Sequence, residues 1–139
     1  MSRNSMLNST GLRVVVADDE EINLFILIKN MSDNGYLPKG FDGGIAVWDY
    51  LQKNPYNVDI VILDKMMSDL NGVEVIKLMK KHPVLRHVPI LMQSGCIDIK
   101  EGLEAGADCY LVKPFSAEKM IAAIEELTRM DVKKLLIKA

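Results

Sequence analysis

The stretch Asp59-Ile60-Val61-Ile62-Leu63-Asp64 decides the fold of this 139-residue chain. Its consecutive apolar residues are typical of a strand that is buried on both faces of a parallel sheet. A second apolar run, residues 12–17, has the same character and is followed by Asp18-Asp19. If the two runs are neighbouring parallel strands, three carboxylates meet at one edge of the sheet, where like charges need a cation or a shared proton to relieve them. The sequence therefore predicts a site at this edge.

Short apolar runs alternate with longer amphipathic runs along the chain, in five repeats. This alternation is typical of parallel strands that are joined by crossover helices. The predicted strands are 12–17, 37–41, 59–63, 89–93 and 109–112. The predicted helices are 21–32, 44–53, 73–81, 100–105 and 117–129, and breaker residues at 34–35, 54–55, 82–83 and 106 are expected to end the first four. We therefore predict an α/β fold: a doubly wound, five-stranded parallel sheet with five helices in a single domain.

Length and charge limit the classes of protein to which the chain can belong. A chain of 139 residues is long enough for one ordinary domain with a buried core. The formal net charge of −2, with no run of Lys and Arg, argues against nucleic-acid binding. Cys96 and Cys109 have neither CxxC spacing nor a zinc-ligand set with His82 and His87, so structural zinc is not expected and a reducing cytosol fits.

The N-terminal segment, residues 1–11, is rich in Ser and Asn and lacks the apolar centre of a signal peptide. We expect this segment to be flexible. No later run of residues approaches the length of a membrane-spanning helix. The sequence therefore predicts a cytoplasmic protein with no membrane association.

Polar residues whose side chains can take part in a reaction lie at the ends of four of the five predicted strands. In doubly wound sheets, ligands bind beyond the carboxyl ends of the strands, so these residues are expected at one edge. Only the second strand contributes none. The residues are Asp18 and Asp19 after the first strand, Asp64 after the third, Ser94 after the fourth and Lys113 after the fifth.

These residues resemble the receiver domain of two-component response regulators, over residues 12–130. The resemblance rests on the acid pair 18–19, on 64–67 with Gly72 eight residues after Asp64, on Ser94-Gly95, and on the run 106–115. It implies a flavodoxin-like sheet of strand order 2-1-3-4-5. It also implies that Asp64 accepts a phosphoryl group from a histidine kinase or histidine phosphotransfer protein. The phosphorylated domain would then change the face that binds a downstream effector protein, with self-phosphorylation and self-dephosphorylation as its only reactions.

The resemblance also implies a role for each residue of the edge. Mg²⁺, or Mn²⁺ in its place, would be held by Asp19, Asp64 and the backbone carbonyl of Met66, with Asp18 acting mostly through a bound water. The other implied roles are those of Lys113, which pairs with the acyl phosphate, Ser94, which donates its hydroxyl to a phosphate oxygen, Tyr110, the aromatic switch, and Pro114, the cis-proline candidate. Such a set fits phosphoryl transfer, which needs positioning and charge neutralisation more than covalent help.

Taken singly, each of these residues has a simpler structural interpretation. Asp18 or Asp19 could cap the first helix, and Asp64 could be an ordinary turn residue. Ser94 could be a loop hydroxyl, Lys113 a solvated cation, Pro114 a helix start and Tyr110 a half-buried core residue. Their joint placement at one predicted edge favours the functional interpretation.

The chain departs from the family pattern at three places. Ser68 lies where proline is usual, which loosens that loop. The stretch from Ser94 to Lys113 is about three residues shorter than usual, so we expect the fourth helix to lose most of a turn at its start. Met66 and Cys96 flank the site with apolar or soft groups, and we expect poor positioning of water to slow the loss of the phosphate.

Other classes of protein explain the sequence less well. A hydrolase with an aspartyl nucleophile would want an acid two residues after Asp64, where Met66 stands. A flavin-binding module of the same fold leaves the acids unexplained, and a phosphate-independent interaction domain would not need every reactive group.

The tail, residues 131–139, has apolar residues at helical spacing. We expect the tail either to extend the last helix, where it would contact a partner or a second copy in a homodimer, or to fray. We expect a stand-alone receiver or one cut from a longer regulator or hybrid kinase.

Overall fold

The computed structural model describes residues 10–138, with side chains described through residue 129. Five parallel strands form one sheet of order β2-β1-β3-β4-β5, which confirms the predicted fold class and strand order. The strands are β1 (Arg13–Ala17), β2 (Leu37–Phe41), β3 (Ile60–Asp64), β4 (Ile90–Ser94) and β5 (Cys109–Val112). The helices are α1 (Glu21–Asp33), α2 (Gly44–Lys53), α3 (Gly72–Lys81), α4 (Lys100–Ala105) and α5 (Ala117–Lys138), with a 3₁₀ turn at Leu85–His87.

The core has two layers because successive side chains of a strand point to opposite faces of the sheet. Val15 and Leu63 belong to the layer that packs against α2 and α3. Val16 and Ile62 belong to the layer that packs against α1 and α5. All four side chains are at most 2% exposed, so the two central strands are buried on both faces, as their unbroken apolar runs predict.

The strand register brings the carboxyl ends of the strands into line. In the β1–β3 pair, Ala17 lies opposite Leu63, so that Asp18 and Asp64 are the next residues along neighbouring strands. Asp64 pairs with Gln93 across β3 and β4, and Ser94 pairs with Val112 across β4 and β5. The polar residues at the strand ends are thereby brought to one edge.

The sequence placed Asp64 and Ser94 just after their strands, whereas the structure makes each the last residue of its strand. The reason is that the hydrogen-bond ladder continues one residue further than the apolar run. The amide of Lys65 donates to the carbonyl of Gln93, and the amide of Lys113 donates to the carbonyl of Ser94. The side chains of Asp64 and Ser94 thus project from backbone that is fixed in the sheet.

The helix ends agree with the expected breakers. The first four helices end at Asp33, Lys53, Lys81 and Ala105, and the cap after α4, Gly106, has a φ of 124° that favours glycine. The fourth helix has six residues, Lys100–Ala105, as the sequence predicts. None of the helices in the described residues is long and apolar enough to cross a membrane.

Both ends of the chain lie partly outside the described residues. Of the segment 1–11, the structure describes the last two residues, Thr10 and Gly11, whose amides donate to the carbonyl of Gly35. The backbone of α5 is helical through Lys138, as an extension of the last helix requires. The side chains on which a homodimer contact would depend lie beyond residue 129, outside the described side chains, so that contact stays a prediction.

Candidate functional site

Three carboxylates meet at the carboxyl edge of the central strands. One oxygen each from Asp18, Glu20 and Asp64 lies within 4.8 Å of the others; we name these three residues the acidic group. Asp18 is 0% exposed and Asp64 is 3% exposed, whereas Glu20 is exposed. The buried like charges of Asp18 and Asp64 require a positive counterpart.

Lys113 supplies that positive charge from the end of β5. Its Nζ donates to Asp64 Oδ2 at 2.7 Å, to Asp18 Oδ2 at 3.4 Å and to Glu20 Oε1 at 3.4 Å. The side chain of Lys113 is 20% exposed, so these ion pairs are only partly screened by solvent. The peptide bond between Lys113 and Pro114 is cis, which confirms the expected cis-proline.

The Asp18 carboxylate is held on both oxygens. Its Oδ1 accepts from the backbone amide of Glu20 at 2.9 Å, which begins the turn into α1. Its Oδ2 accepts from the side-chain amide of Gln93 at 3.1 Å and from that of Asn23. These donors, together with Lys113, satisfy an acid that has no access to water.

Asp64 occupies the centre of the site. Its Oδ1 accepts from the amide of Met66 at 3.0 Å, and its Oδ2 accepts from Lys113. Burial raises the pKa of Asp64 above its ordinary value, and the charge of Asp18 adds to this effect, while Lys113 and the Met66 amide oppose it. Burial alone would lower the pKa of Lys113, but the hydrogen bond and charge of Asp64, with the charge of Asp18, raise it.

The structure places the two members of the predicted acid pair differently. Asp18 points into the site, whereas Asp19 is exposed and its Oδ2 accepts from the amide of Ser68 at 3.2 Å. Glu20, which the sequence reasoning missed, lies in the acidic group instead. The role of Asp19 as a metal ligand stays a prediction, as does that of the Met66 carbonyl.

Ser94 and Tyr110 both contact the segment that follows β4. The hydroxyl of Ser94 is buried and accepts from the amide of Cys96 at 3.1 Å. The hydroxyl of Tyr110 donates to the carbonyl of Cys96 at 3.2 Å, while its ring is half-buried against the core and Gly102. The two predicted switch residues thus share one segment, although the switch itself stays a prediction.

The loop between β3 and α3 is fixed at several points around Asp64. Lys65 Nζ donates to the carbonyl of Asp98 at 3.3 Å, which ties this loop to the segment before α4. Asp69 accepts from the amides of Gly44 and Ile45 at 3.0 and 3.3 Å and so caps the start of α2. The loop therefore stays anchored although Ser68 replaces the usual proline.

Sequence reasoning missed Glu20, Asn23 and Gln93 as members of the site. A signal exists for Gln93, since a glutamine in an otherwise apolar strand is a buried polar group that needs a partner. The other two lie in the first turn of α1 and the residue before it, where the backbone path after β1 decides which side chains face the site.

Comparisons with known proteins agree with this geometry. A family model described as the response regulator receiver domain matches residues 14–125. Response regulator MprA from Mycobacterium sp. (strain KMS) is 34% identical over 121 residues, which cover 85% of this chain and 51% of that protein. The 3',5'-cyclic-nucleotide phosphodiesterase regA from Dictyostelium discoideum is 29% identical over 118 residues, or 82% of this chain and 15% of that protein. The chain thus spans from 15% to about half of the length of the curated relatives it matches.

Solved structures show the same fold. The receiver domain of Francisella response regulator 1452 is 28% identical with a TM-score of 0.77, and the match covers 86% of this chain and 98% of that one. The chemotaxis protein CheY4 of Vibrio cholerae is 25% identical with a TM-score of 0.78, covering 84% and 98% of the two chains. Since the family model alone matches well over half of the chain, the protein belongs to the response regulator receiver domains, which act in phosphorylation-dependent two-component signalling.

Proposed function

We propose that this receiver domain is a switch that accepts a phosphoryl group on Asp64 from a histidine kinase or a histidine phosphotransfer protein. The observation that carries this proposal is the placement of Asp64. It ends the central strand β3, its side chain is only 5% exposed, and the ammonium of Lys113 lies 2.7 Å from its Oδ2. A carboxylate held beside a fixed positive charge can react with a phosphoryl group whose negative charge the same lysine helps to neutralise.

In the proposed transfer, an oxygen of the Asp64 carboxylate attacks the phosphorus of a phosphohistidine. A phosphorus–oxygen bond forms while the phosphorus–nitrogen bond breaks, and the released imidazole keeps the electron pair of that bond and takes up a proton. Lys113 pairs with an oxygen of the transferred group, and the hydroxyl of Ser94 donates to another. Hydrolysis of the acyl phosphate by water later restores the carboxylate and releases inorganic phosphate.

The residues at this edge fit a small divalent cation. Carboxylate oxygens are the ligands that Mg²⁺ and Mn²⁺ prefer, and Asp18 and Asp64 present them in a buried position with Glu20 beside them. The buried Oε1 of Gln93, whose amide nitrogen contacts Asp18, has no hydrogen-bond partner among the described residues, which fits a site that takes up a hydrated ion. When bound, the ion supplies positive charge that stabilises the phosphoryl oxygens.

The proposed output follows from the contacts of Ser94. When its hydroxyl turns to a phosphoryl oxygen, it gives up the hydrogen bond that it accepts from the Cys96 amide. Tyr110 is bound to the same residue, so the change reaches β5 and α4 and alters the face offered to a downstream effector. The homodimer contact that the sequence predicts lies elsewhere, on the last helix α5.

We infer no reaction on other substrates. A hydrolase with an aspartyl nucleophile would need a general acid two residues after Asp64, and the residue there, Met66, is apolar and 67% exposed.

The test is phosphorylation by a small donor. The protein is incubated with Mg²⁺ and acetyl phosphate, and intact mass is measured for the wild type, Asp64→Asn and a control, Asp42→Asn, which removes an exposed acid outside the acidic group. We expect a gain of one phosphoryl group, about 80 Da, in the wild type and the control but not in Asp64→Asn. No gain in the wild type would refute the proposal and favour a phosphate-independent binding module.

A further inference from the structure

Gln93 is a buried polar residue that the proposed transfer does not use. It lies in β4 next to Ser94, pairs in register with Asp64, and is 0% exposed. Its side-chain nitrogen donates to Asp18 Oδ2 at 3.1 Å, so that β4 and the end of β1 are joined across β3 by one hydrogen bond. The orientation of the amide is fixed by this contact, because its oxygen would repel the carboxylate.

The folding of the sheet does not explain a glutamine at this position. Its Oε1 is buried and has no partner in the described part of the chain, and an unsatisfied buried acceptor destabilises the folded protein. A methionine or leucine would fill similar space without that cost. What an apolar side chain could not supply is the hydrogen bond to Asp18.

The hydrogen bond from Gln93 holds Asp18 independently of Lys113. The ammonium of Lys113 is shared among Asp18, Glu20 and Asp64, and in the proposed function it turns to a phosphoryl oxygen. Gln93 is neutral and buried in the sheet, so its contact with Asp18 does not depend on which partner the lysine has. We expect this contact to keep the Asp18 carboxylate turned toward Glu20 and Asp64 both before and after the phosphoryl transfer.

We propose that Gln93 is a positioning residue for the divalent-cation site, holding the Asp18 carboxylate through its amide nitrogen. This inference rests on the proposed function, since it concerns the cation that the acidic group would hold. Partners that orient metal ligands typically change metal affinity about 10- to 100-fold when they are removed. Gln93 is expected to act in the same range.

The experiment measures cation binding by the whole chain, without any phosphodonor. Mg²⁺ is titrated calorimetrically into the wild type, Gln93→Met and a control, Gln52→Met, which changes an exposed glutamine on α2. We expect the Kd of Gln93→Met for Mg²⁺ to be higher than that of the wild type by about 10-fold or more, and the Kd of the control to be unchanged. Gln93→Leu replaces Gln93→Met if circular dichroism shows that the latter does not fold.

A spectroscopic signature separates positioning from a merely structural role. The side-chain amide signals of Gln93 in a ¹⁵N–¹H spectrum are assigned by their loss in the variant, and we expect Mg²⁺ to shift them in the wild type. An unchanged Kd in the variant, or amide signals that Mg²⁺ does not move, would overturn the inference alone. A wild type that binds no Mg²⁺ would overturn it together with the proposed cation site, whereas phosphorylation of Asp64 is judged separately by mass.

Discussion

Replacing Lys113 with methionine should reveal how strongly the acidic group depends on its lysine. Methionine keeps much of the length of the side chain but removes the charge that contacts Asp64 at 2.7 Å and both Asp18 and Glu20 at 3.4 Å. Three carboxylates would then lie close together with no ammonium between them. We expect a marked loss of stability in the absence of divalent cations.

The size of this loss follows from the burial of the partners. Breaking a fully buried ion pair costs about 3–5 kcal/mol, and breaking an exposed one costs about 0–1 kcal/mol. The side chain of Lys113 is 20% exposed and that of Asp64 is 5% exposed. We therefore expect Lys113→Met to lower the free energy of unfolding by about 2–3 kcal/mol. A domain of this length has an unfolding entropy of about 0.3 kcal/mol/K near its midpoint, so Tm should fall by about 7–10 °C.

Thermal unfolding at pH 8 with a chelator measures the effect, with Lys81→Met, an exposed lysine in the last turn of α3, as the control. Addition of Mg²⁺ should restore part of the loss, because a cation between the carboxylates replaces the missing charge. Lower pH should also restore part of it, because the pKa of Asp64 is already raised and its protonation removes one of the repelling charges. A Tm within about 2 °C of the wild type at pH 8 would refute this account of the site.

Two further predictions concern the scaffold. A methyl group on Gly44 would lie 1.9 Å from the carbonyl oxygen of Leu70, so Gly44→Ala should lower Tm. The control Gly95→Ala, whose methyl group meets open space, should leave Tm unchanged. Equal Tm values for the two variants would contradict the close packing of α2 on the loop. Burial tends to raise the pKa of Asp59, but its hydrogen bonds and ion pair with Arg13 outweigh this and lower it, so its contribution to stability is present above its unfolded pKa and is lost as pH falls through the folded pKa. Asp59→Asn should therefore lower the urea midpoint at pH 7, and its effect should shrink as pH falls below the unfolded pKa of an aspartate, about 4. An effect that stays the same down to the lowest pH at which the protein is folded would show that the ion pair is not the cause.

The meeting of Asp18 and Asp64 could be predicted because it depends only on strand order and register. Parallel neighbouring strands bring their carboxyl ends to one edge whatever the side chains do, so the position of an acid after each apolar run is sufficient. The cis bond before Pro114 and the contact of Lys113 with Asp64 agree with what the family resemblance implies. Only the meeting of the strand ends is a property of the backbone topology.

The distinction between Asp18 and Asp19 could not be predicted from the sequence. The two acids are chemically identical and adjacent, and the turn that leaves β1 decides which one points inward. In the structure the Glu20 amide bonds to Asp18, while Asp19 turns to Ser68. The same turn brings the side chain of Glu20 into the group, a result that depends on local torsion angles and not on residue type.

The cap that Asp69 provides to α2 has a mechanical consequence for the switch. On the side of β2, the loop after Asp64 is bound to the start of α2 through Asp69 and to Asp19 through Ser68. On the opposite side, the segment 95–99 is exposed at every residue. The loop after Asp64 is thus fixed on the side of β2, while on the side of α4 its hydrogen bond from Lys65 to the Asp98 carbonyl leads to a segment with no buried residue, so we expect a displacement that starts at Asp64 to pass toward α4.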